Sequence, residues 1–391
     1  MMIKLIGSTF FKEKQTKKEL ISFIMNSEKL SMGDECDKFE KNFAKFQNRK
    51  YATFVSNGSM ANLILIQSLL NLGLLKKGDN VGFSALTWST NVMPLIQLGL
   101  NPIPINCELD TLNISLAKIK TIKENLKGIF ITNVLGLCDE IGKIKTYCKE
   151  KNIVLFEDNC ESLGSKIKGK LLGNFGIAAT FSFFVGHHLS TIEGGMIVTD
   201  DFNLYEMCKM TRAHGWDRNL SEKTQKILRT KNNINEFYAK YSFYDLAYNG
   251  RPTELNGIIG NLQLKFIEEI ITKRVENFKT FIEAEKENED IVKLKTSHMD
   301  RISNMAFPII FKSEQLLEKY KKIFEKNDVE IRPLIAGDMT RQPFFKRYIK
   351  KTNYTLPNVK HIHECGIYIP NHPELTKKDI NLLCSIIRNE A

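Results

Sequence analysis

The stretch FSFFVGHHLSTIEGGMIVTDD, residues 181–201, decides how the rest of the chain is read. An apolar run ends at Val185 and Gly186, two histidines follow, and after Gly194 and Gly195 a second apolar run closes on Asp200 and Asp201. Two β-strands joined by a polar loop fit this pattern. In an α/β protein ligands gather at the carboxyl ends of strands, so His187 and His188 stand where chemistry is expected. Two adjacent histidines nevertheless match no common catalytic motif.

Working outward, β-rich runs alternate with helical patterns between residues 50 and 200. They are YATFVS (51–56), NVGFSA (80–85), NPIPIN (101–106), GIFITNV (128–134), IVLFED (153–158), AATFSFF (178–184) and GMIVTDD (195–201). This alternation predicts βαβ units and an α/β fold built on a mostly parallel seven-stranded sheet. Between the first two runs lies a helix with Leu63, Ile66 and Leu70 on one stripe and Leu65, Leu69 and Leu72 beside it. It starts just after NGSM, so its backbone N–H groups point at the Gly58 turn, an arrangement suited to phosphate. From about residue 255 a long helical segment leads into a portion with FPIIF, LLEKYKKIFEKN and VEIRPL, which reads as α+β. The expected division is an N-terminal segment (1–29) that contributes to the site, a large domain (30–265) and a small C-terminal domain (266–391).

Composition narrows the function classes. The 391 residues are 42% apolar and 26% charged, as in an ordinary folded domain pair. The early apolar run is broken by Gly7, Ser8 and lysines, and the most apolar window, 61–75, holds Asn62, Gln67, Ser68 and Asn71, so neither a signal peptide nor a membrane span is expected. A cytoplasmic protein is the resulting expectation. Eight scattered cysteines with no CxxC pair read as reduced thiols, and no metal site is expected. The net charge of +11 is spread along the chain without a nucleic-acid-binding motif, so a small anionic substrate is preferred to nucleic acid.

The strand ends supply the candidates. Gly58 and Ser59 form a turn able to cradle phosphate or merely to join a strand to a helix. Trp88 follows the second strand and can stack on a planar group or fill a core. The fifth ends in Glu157 and Asp158, followed by Asn159 and, shortly after, Glu161; strand-end carboxylates must face water, a cation or a protonated ring nitrogen.

Taken in order, NGSMAN, TWSTN, FEDNCESLGS, GNFG, TFSFF with EGGMIVTD, and YNGRPTELNGIIGNLQL resemble the fold-type-I pyridoxal-phosphate family of sugar aminotransferases acting on nucleotide-linked keto sugars. The resemblance spans roughly residues 30–375. It implies that Asp158 pairs with the cofactor's ring nitrogen, that Trp88 stacks on the ring, and that Gly58, Ser59 and Ser182 bind its phosphate. It implies further that Asn249 reaches that phosphate from a partner subunit, so that a homodimer shares its active sites. Glu161 stands where relatives carry Gln or His near the phenolic oxygen. His214, Arg218, Arg251 and Arg332 are the candidates for substrate; each arginine could bind the nucleotide's phosphates or form a surface ion pair.

One position departs from the aminotransferase pattern. Where relatives carry the lysine that holds the cofactor covalently, this sequence has His187, and imidazole forms no stable imine. The replacement resembles the 3-dehydratase branch, as do HHLST with EGGMI, the Cys160-Glu161-Ser162 run and RAHGWDR (212–218). That implies pyridoxal 5′-phosphate or pyridoxamine 5′-phosphate held non-covalently, glutamate as amino donor and His187 as catalytic base. The hydroxyl at carbon 3 of a nucleotide-linked, GDP-linked by resemblance, 4-keto-6-deoxy sugar would be removed, giving a 4-keto-3,6-dideoxy sugar for surface polysaccharide. His188 is expected to support structure, as are His361, His363 and His372. An ordinary aminotransferase, an iron–sulfur-assisted dehydrase and an inactive sugar-sensing relative stand as alternatives.

Overall fold

The computed structural model describes residues 2–350 and 354–390. Strands follow the expected runs closely: β1 (Tyr51–Val55), β2 (Asn80–Ser84), β3 (Asn101–Ile105), β4 (Leu126–Thr132) and β5 (Val154–Asp158). After a small hairpin of β6 (Lys166–Ile167) and β7 (Lys170–Leu171) come β8 (Ala178–Ser182) and β9 (Gly195–Thr199). The large sheet has the order β1-β9-β8-β5-β4-β2-β3, with only β9 antiparallel to its neighbours. Its strands are buried almost end to end, which is why they read as unbroken apolar runs rather than as alternating ones. At the β3 edge Pro102 and Pro104, two residues apart, withhold their missing N–H groups from the same side of the strand, which blunts that edge against further pairing.

The helix Gly58–Asn71 departs from the two adjacent stripes expected. Ala61, Ile64, Leu65, Ile66 and Leu69 are all buried, whereas Leu63 and Leu70 are only partly so. The helix packs on β8 and β9 and also on the helix Phe202–Arg212, so contact comes from several sides and no one stripe accounts for its core face.

The chain leaves this layer through helices Glu254–Leu264 and Ile267–Lys286, broken only at Lys265 and Phe266. It then builds a three-stranded antiparallel sheet in the order β10 (Ala306–Ile310), β12 (Gly366–Pro370), β11 (Arg332–Pro333). Residues near the amino terminus dock against this second sheet: Ile3 donates to Asp328 O and accepts from Glu330 N at 2.8 and 2.9 Å. The second sheet's apolar core is continuous with Leu86, Val134, Leu135 and Leu137 from the strand ends of the first. A seam therefore runs where the parallel strands finish, and the main cavity opens there.

Candidate active site

Alternation along β5 sends two neighbouring carboxylates to opposite destinations. Asp158 is buried and lines a cavity of about 630 Å³ at the strand ends. Its Oδ2 accepts from Asn91 at 2.7 Å and Asn62 at 3.1 Å, and its Oδ1 accepts from Cys160 N at 2.9 Å. Thr180 donates to Asn62 Oδ1 at 2.6 Å, so the carboxylate is anchored to the sheet through a chain of donors. Glu157 turns away. It accepts from Gly173, Phe175 and Gly176 backbone N–H at 2.9, 2.7 and 2.8 Å and from Asn133 at 3.0 Å. The GNFG motif thus meets a buried charge with backbone donors, and Glu157 faces neither water nor ligand.

Three elements converge on the opposite end of the cavity. Gly195, at the start of β9, stands opposite Val55 of β1 and Ser182 of β8. A Cβ on Gly195 would lie 2.3 Å from Asn57 O, so glycine lets the strand run against the turn that begins the helix Gly58–Asn71. Asn57 caps that helix, accepting from Met60 N at 2.8 Å. The backbone N–H groups of Gly58 and Ser59 lie in the first turn, where helical geometry leaves them unpaired and open to an anion. Gly58 is equally constrained: an added Cβ would come within 2.7 Å of Ser182 Cβ.

Trp88 stands at the rim, half its surface exposed. Glu161 lines the wall and accepts from Leu135 N at 2.9 Å. Burial pushes its carboxyl up to about 8 against the pull of that N–H, with the charge of Asp158 adding to the rise. Arg332 also lines the cavity, paired with Glu330, which accepts from Leu5 N at 2.9 Å.

His187 forms the wall with Gly186 and Phe184. Its N–H closes a turn on Phe184 O at 2.9 Å, and its carbonyl accepts from Arg274 at 3.1 Å. Burial brings the imidazole down to about 4, with Arg274 lowering it further and Asp158 opposing. It is therefore a neutral base at physiological pH. Among the described residues lining this cavity there is no lysine. His188 is buried behind it, Nε2 3.2 Å from Ser303 O, and lines a different cleft.

Four of the residues singled out in the sequence lie elsewhere on the chain. Asn249, Arg218 and Arg251 share an open cleft of about 410 Å³ with Trp216. Arg218 sits 4.0 Å over the Trp216 ring and 4.8 Å over Tyr241, Arg251 donates to Asn249 at 3.0 Å, and the His214 ring lies 4.7 Å from that of Trp216. Conversely, Asn62, Asn91, Leu5, Ile6 and Tyr368 belong to the cavity or its support and were not singled out. Both asparagines close motifs already quoted, NGSMAN and TWSTN. Their place at the ends of those motifs was the available signal.

Comparison with known proteins agrees with this geometry. The model of the DegT/DnrJ/EryC1/StrS aminotransferase family matches residues 12–388. The chain is 34% identical over 385 residues to a GDP-4-keto-6-deoxy-D-mannose 3-dehydratase of Yersinia pseudotuberculosis, covering 95% of this chain and 96% of that protein. A solved GDP-4-keto-6-deoxymannose-3-dehydratase mutant with bound GDP-perosamine superposes with a TM-score of 0.90 at 30% identity, covering 98% of this chain and 100% of the other. Another, with a trapped PLP-glutamate geminal diamine, gives 0.89 at 30% identity over 98% and 99%.

Proposed function

The chain belongs to the DegT/DnrJ/EryC1/StrS aminotransferase family, and from that premise we propose that it is a pyridoxal-phosphate-dependent 3-dehydratase of a GDP-linked 4-keto-6-deoxy sugar. The observation that carries this reading is His187, rather than a lysine, on the wall of the cavity that holds Asp158. The donor set suits the coenzyme. A buried carboxylate fixed by two amides fits a protonated ring nitrogen, and a cradle at Gly58 that has no room for a Cβ fits a phosphate. When bound, the coenzyme supplies an amine that links to the carbon-4 ketone and a conjugated ring that takes up and returns an electron pair.

The chain's own residues do the rest. Asp158 holds the ring nitrogen in its charged form, oriented by Asn62 and Asn91. Gly58, Ser59 and Ser182 grip the phosphate, and Trp88 covers the ring; with no covalent tether these contacts do all the holding. His187, neutral at rest, would take the proton at the coenzyme's methylene carbon and would give one to the departing carbon-3 oxygen, which would leave as water. Glu161 keeps its proton to neutral pH and serves the phenolic oxygen. Arg332 offers a cation to the nucleotide's phosphates. Per turnover the sugar would lose its carbon-3 oxygen, with glutamate converted to 2-oxoglutarate and ammonia.

The second cleft supports a homodimer. Asn249, Arg218 and Arg251 form a cationic, aromatic-backed surface away from their own chain's cavity. Beside it Phe237, Tyr241 and Leu246 are exposed at 81%, 75% and 67%, an apolar patch suited to burial against a second copy. We propose that this face completes the partner's site, with His214 placing the substrate. No described helix is long and apolar enough to cross a membrane; a nucleotide-linked substrate supports a cytoplasmic reaction.

Mixing the protein with pyridoxal phosphate and glutamate tests the reading: the aldehyde absorbance should give way to the pyridoxamine band with release of 2-oxoglutarate. Added GDP-4-keto-6-deoxymannose should then yield a product lacking one oxygen by mass. An unchanged spectrum, or an aminated sugar, overturns it.

A further inference from the structure

His187 lies outside regular structure, on the segment between β8 and β9, so its placement depends on what the backbone there is bonded to. The ends of that segment close on each other: Thr191 N–H donates to Phe183 O at 2.9 Å and Phe183 N–H to Gly194 O at 2.8 Å. Its middle is held from outside. His188 Nε2 donates to Ser303 O at 3.2 Å, and the His187 carbonyl accepts from Arg274 Nη2 at 3.1 Å.

Arg274 stands on the helix Ile267–Lys286, only 3% exposed. Its Nη1 donates to Met305 O at 2.9 Å, to Asn304 O at 3.5 Å and to Asn371 O. Fully buried Asn371 braces the same point, its Nδ2 donating to Asn304 Oδ1 at 2.7 Å and to Arg274 O at 3.2 Å. Carbonyls from the His187 loop, from the entry to β10 and from the exit of β12 thus converge on one guanidinium. A planar fork of five donors can serve them all, whereas a single-point donor cannot. Burial brings Arg274 down to about 9, so it remains a cation at neutral pH, and no carboxylate pairs with it among the described residues. Burying a cation without a counter-charge is costly, so stability alone does not account for it.

We propose that Arg274 is the positioning residue for His187: it joins the loop that carries the base to the second sheet and so fixes where the imidazole stands in the cavity. The proposal rests on the dehydratase reading above. Arg274 does not line the large cavity, so it acts through the residues it holds. Met305, whose carbonyl it also binds, lines that cavity with His187, so one guanidinium sets two of its walls against each other. No lysine lines the cavity, so nothing covalent fixes residue 187 against the coenzyme, and its backbone contacts must do so. A misplacement of about 1 Å can cost about 100-fold in rate.

The test follows, by absorbance in a single turnover, the conversion of bound pyridoxal phosphate to pyridoxamine phosphate by glutamate in the parent, Arg274→Met, His187→Asn and the double variant. Arg274→Met should slow it about 10- to 100-fold, with coenzyme affinity within about twofold of the parent's. In the His187→Asn background the same change should cost less than about twofold, because its only route to the reaction is through the missing base. Arg274→Lys, which keeps the charge but not the fork, should recover part of the loss. In the coenzyme-free protein, amide exchange over residues 184–190 should speed several-fold in Arg274→Met, while β5 and the helix Gly58–Asn71 exchange as in the parent. An equal loss in both backgrounds, a matching loss of coenzyme affinity, an unchanged rate or unchanged exchange over 184–190 overturns the proposal. If glutamate leaves the coenzyme unchanged in the parent, the dehydratase reading fails, and the coenzyme-free exchange decides the positioning together with His187→Lys. Borohydride-trapped adduct at residue 187 should then form several-fold more slowly once Arg274→Met is added, and an unchanged rate overturns the proposal. Should Arg274→Met not fold, Arg274→Gln is judged by the same criteria.

Discussion

Asn91 donates its side-chain amide to Asp158 Oδ2 at 2.7 Å, and both residues are buried. The hydrogen bond spans 67 positions and fixes the carboxylate's direction into the cavity. Hydrogen bonds to charged groups are worth about 1.5–3 kcal/mol. Asp158→Asn should therefore weaken pyridoxal-phosphate binding by about 10- to 100-fold, and Asn91→Ala by less, since Asn62 and Cys160 N still hold the carboxylate. Titration followed by coenzyme absorbance measures both.

His187→Lys should regain a covalent link: borohydride treatment with pyridoxal phosphate should fix the coenzyme to residue 187, visible by peptide mass, and transamination should replace deoxygenation. His187→Asn should form no adduct and lose about 10²- to 10⁴-fold in rate, the usual span for a missing general base.

Gly58→Ala should cost about 1–3 kcal/mol by overpacking against Ser182 and weaken phosphate binding. Gly142→Ala, where an added Cβ meets nothing within 4 Å, should leave coenzyme affinity unchanged. Isothermal titration with pyridoxal phosphate compares the two.

Glu161, raised to about 8 chiefly by burial, holds its proton at neutral pH and sheds it above. If that proton serves the coenzyme, kcat should fall on the alkaline side with a midpoint near 8. Glu161→Gln, which does not titrate, should remove that limb, as a pH–rate profile will read.

Stability should decline at both ends of the pH range. His187 and His372 are lowered to about 4 and His188 well below its usual value, each chiefly by burial. The folded chain keeps them neutral where the unfolded chain takes up protons, so their contribution is lost as pH falls from about 6.5 toward 4. Glu161 and Glu285, raised by burial to about 8 and about 7, act in the opposite sense, and theirs is lost as pH rises through those values. The melting temperature of coenzyme-free protein should fall by several degrees toward either limit, and His372→Gln should flatten only the acid side.

All seven strands of the large sheet were legible because each is a run of apolar residues bounded by Gly, Asn or Asp, a signal local to a few positions. The family was legible for a related reason: Asp158, Ser182 and His187 each follow or end a strand, and strand ends are where such a sheet gathers its site. The burial of the helix Gly58–Asn71 on several sides was not, since a stripe assumes one packed face. Nor was the destination of Glu157, whose partners lie 16 to 24 positions away across a turn and a neighbouring strand.

By itself, then, the sequence determined the alternation of strands and helices, the seven-stranded sheet and the histidine that follows the strand ending at Ser182. Tertiary structure alone decided which side chains share a space: Asn62 and Asn91 on Asp158, Arg274 on the carbonyl of His187 from 87 residues away, and Asn249 with Arg218 in a separate cleft. Periodicity records how each residue meets its immediate neighbours, whereas those contacts depend on strand order and on the docking of the second sheet, which no local pattern encodes.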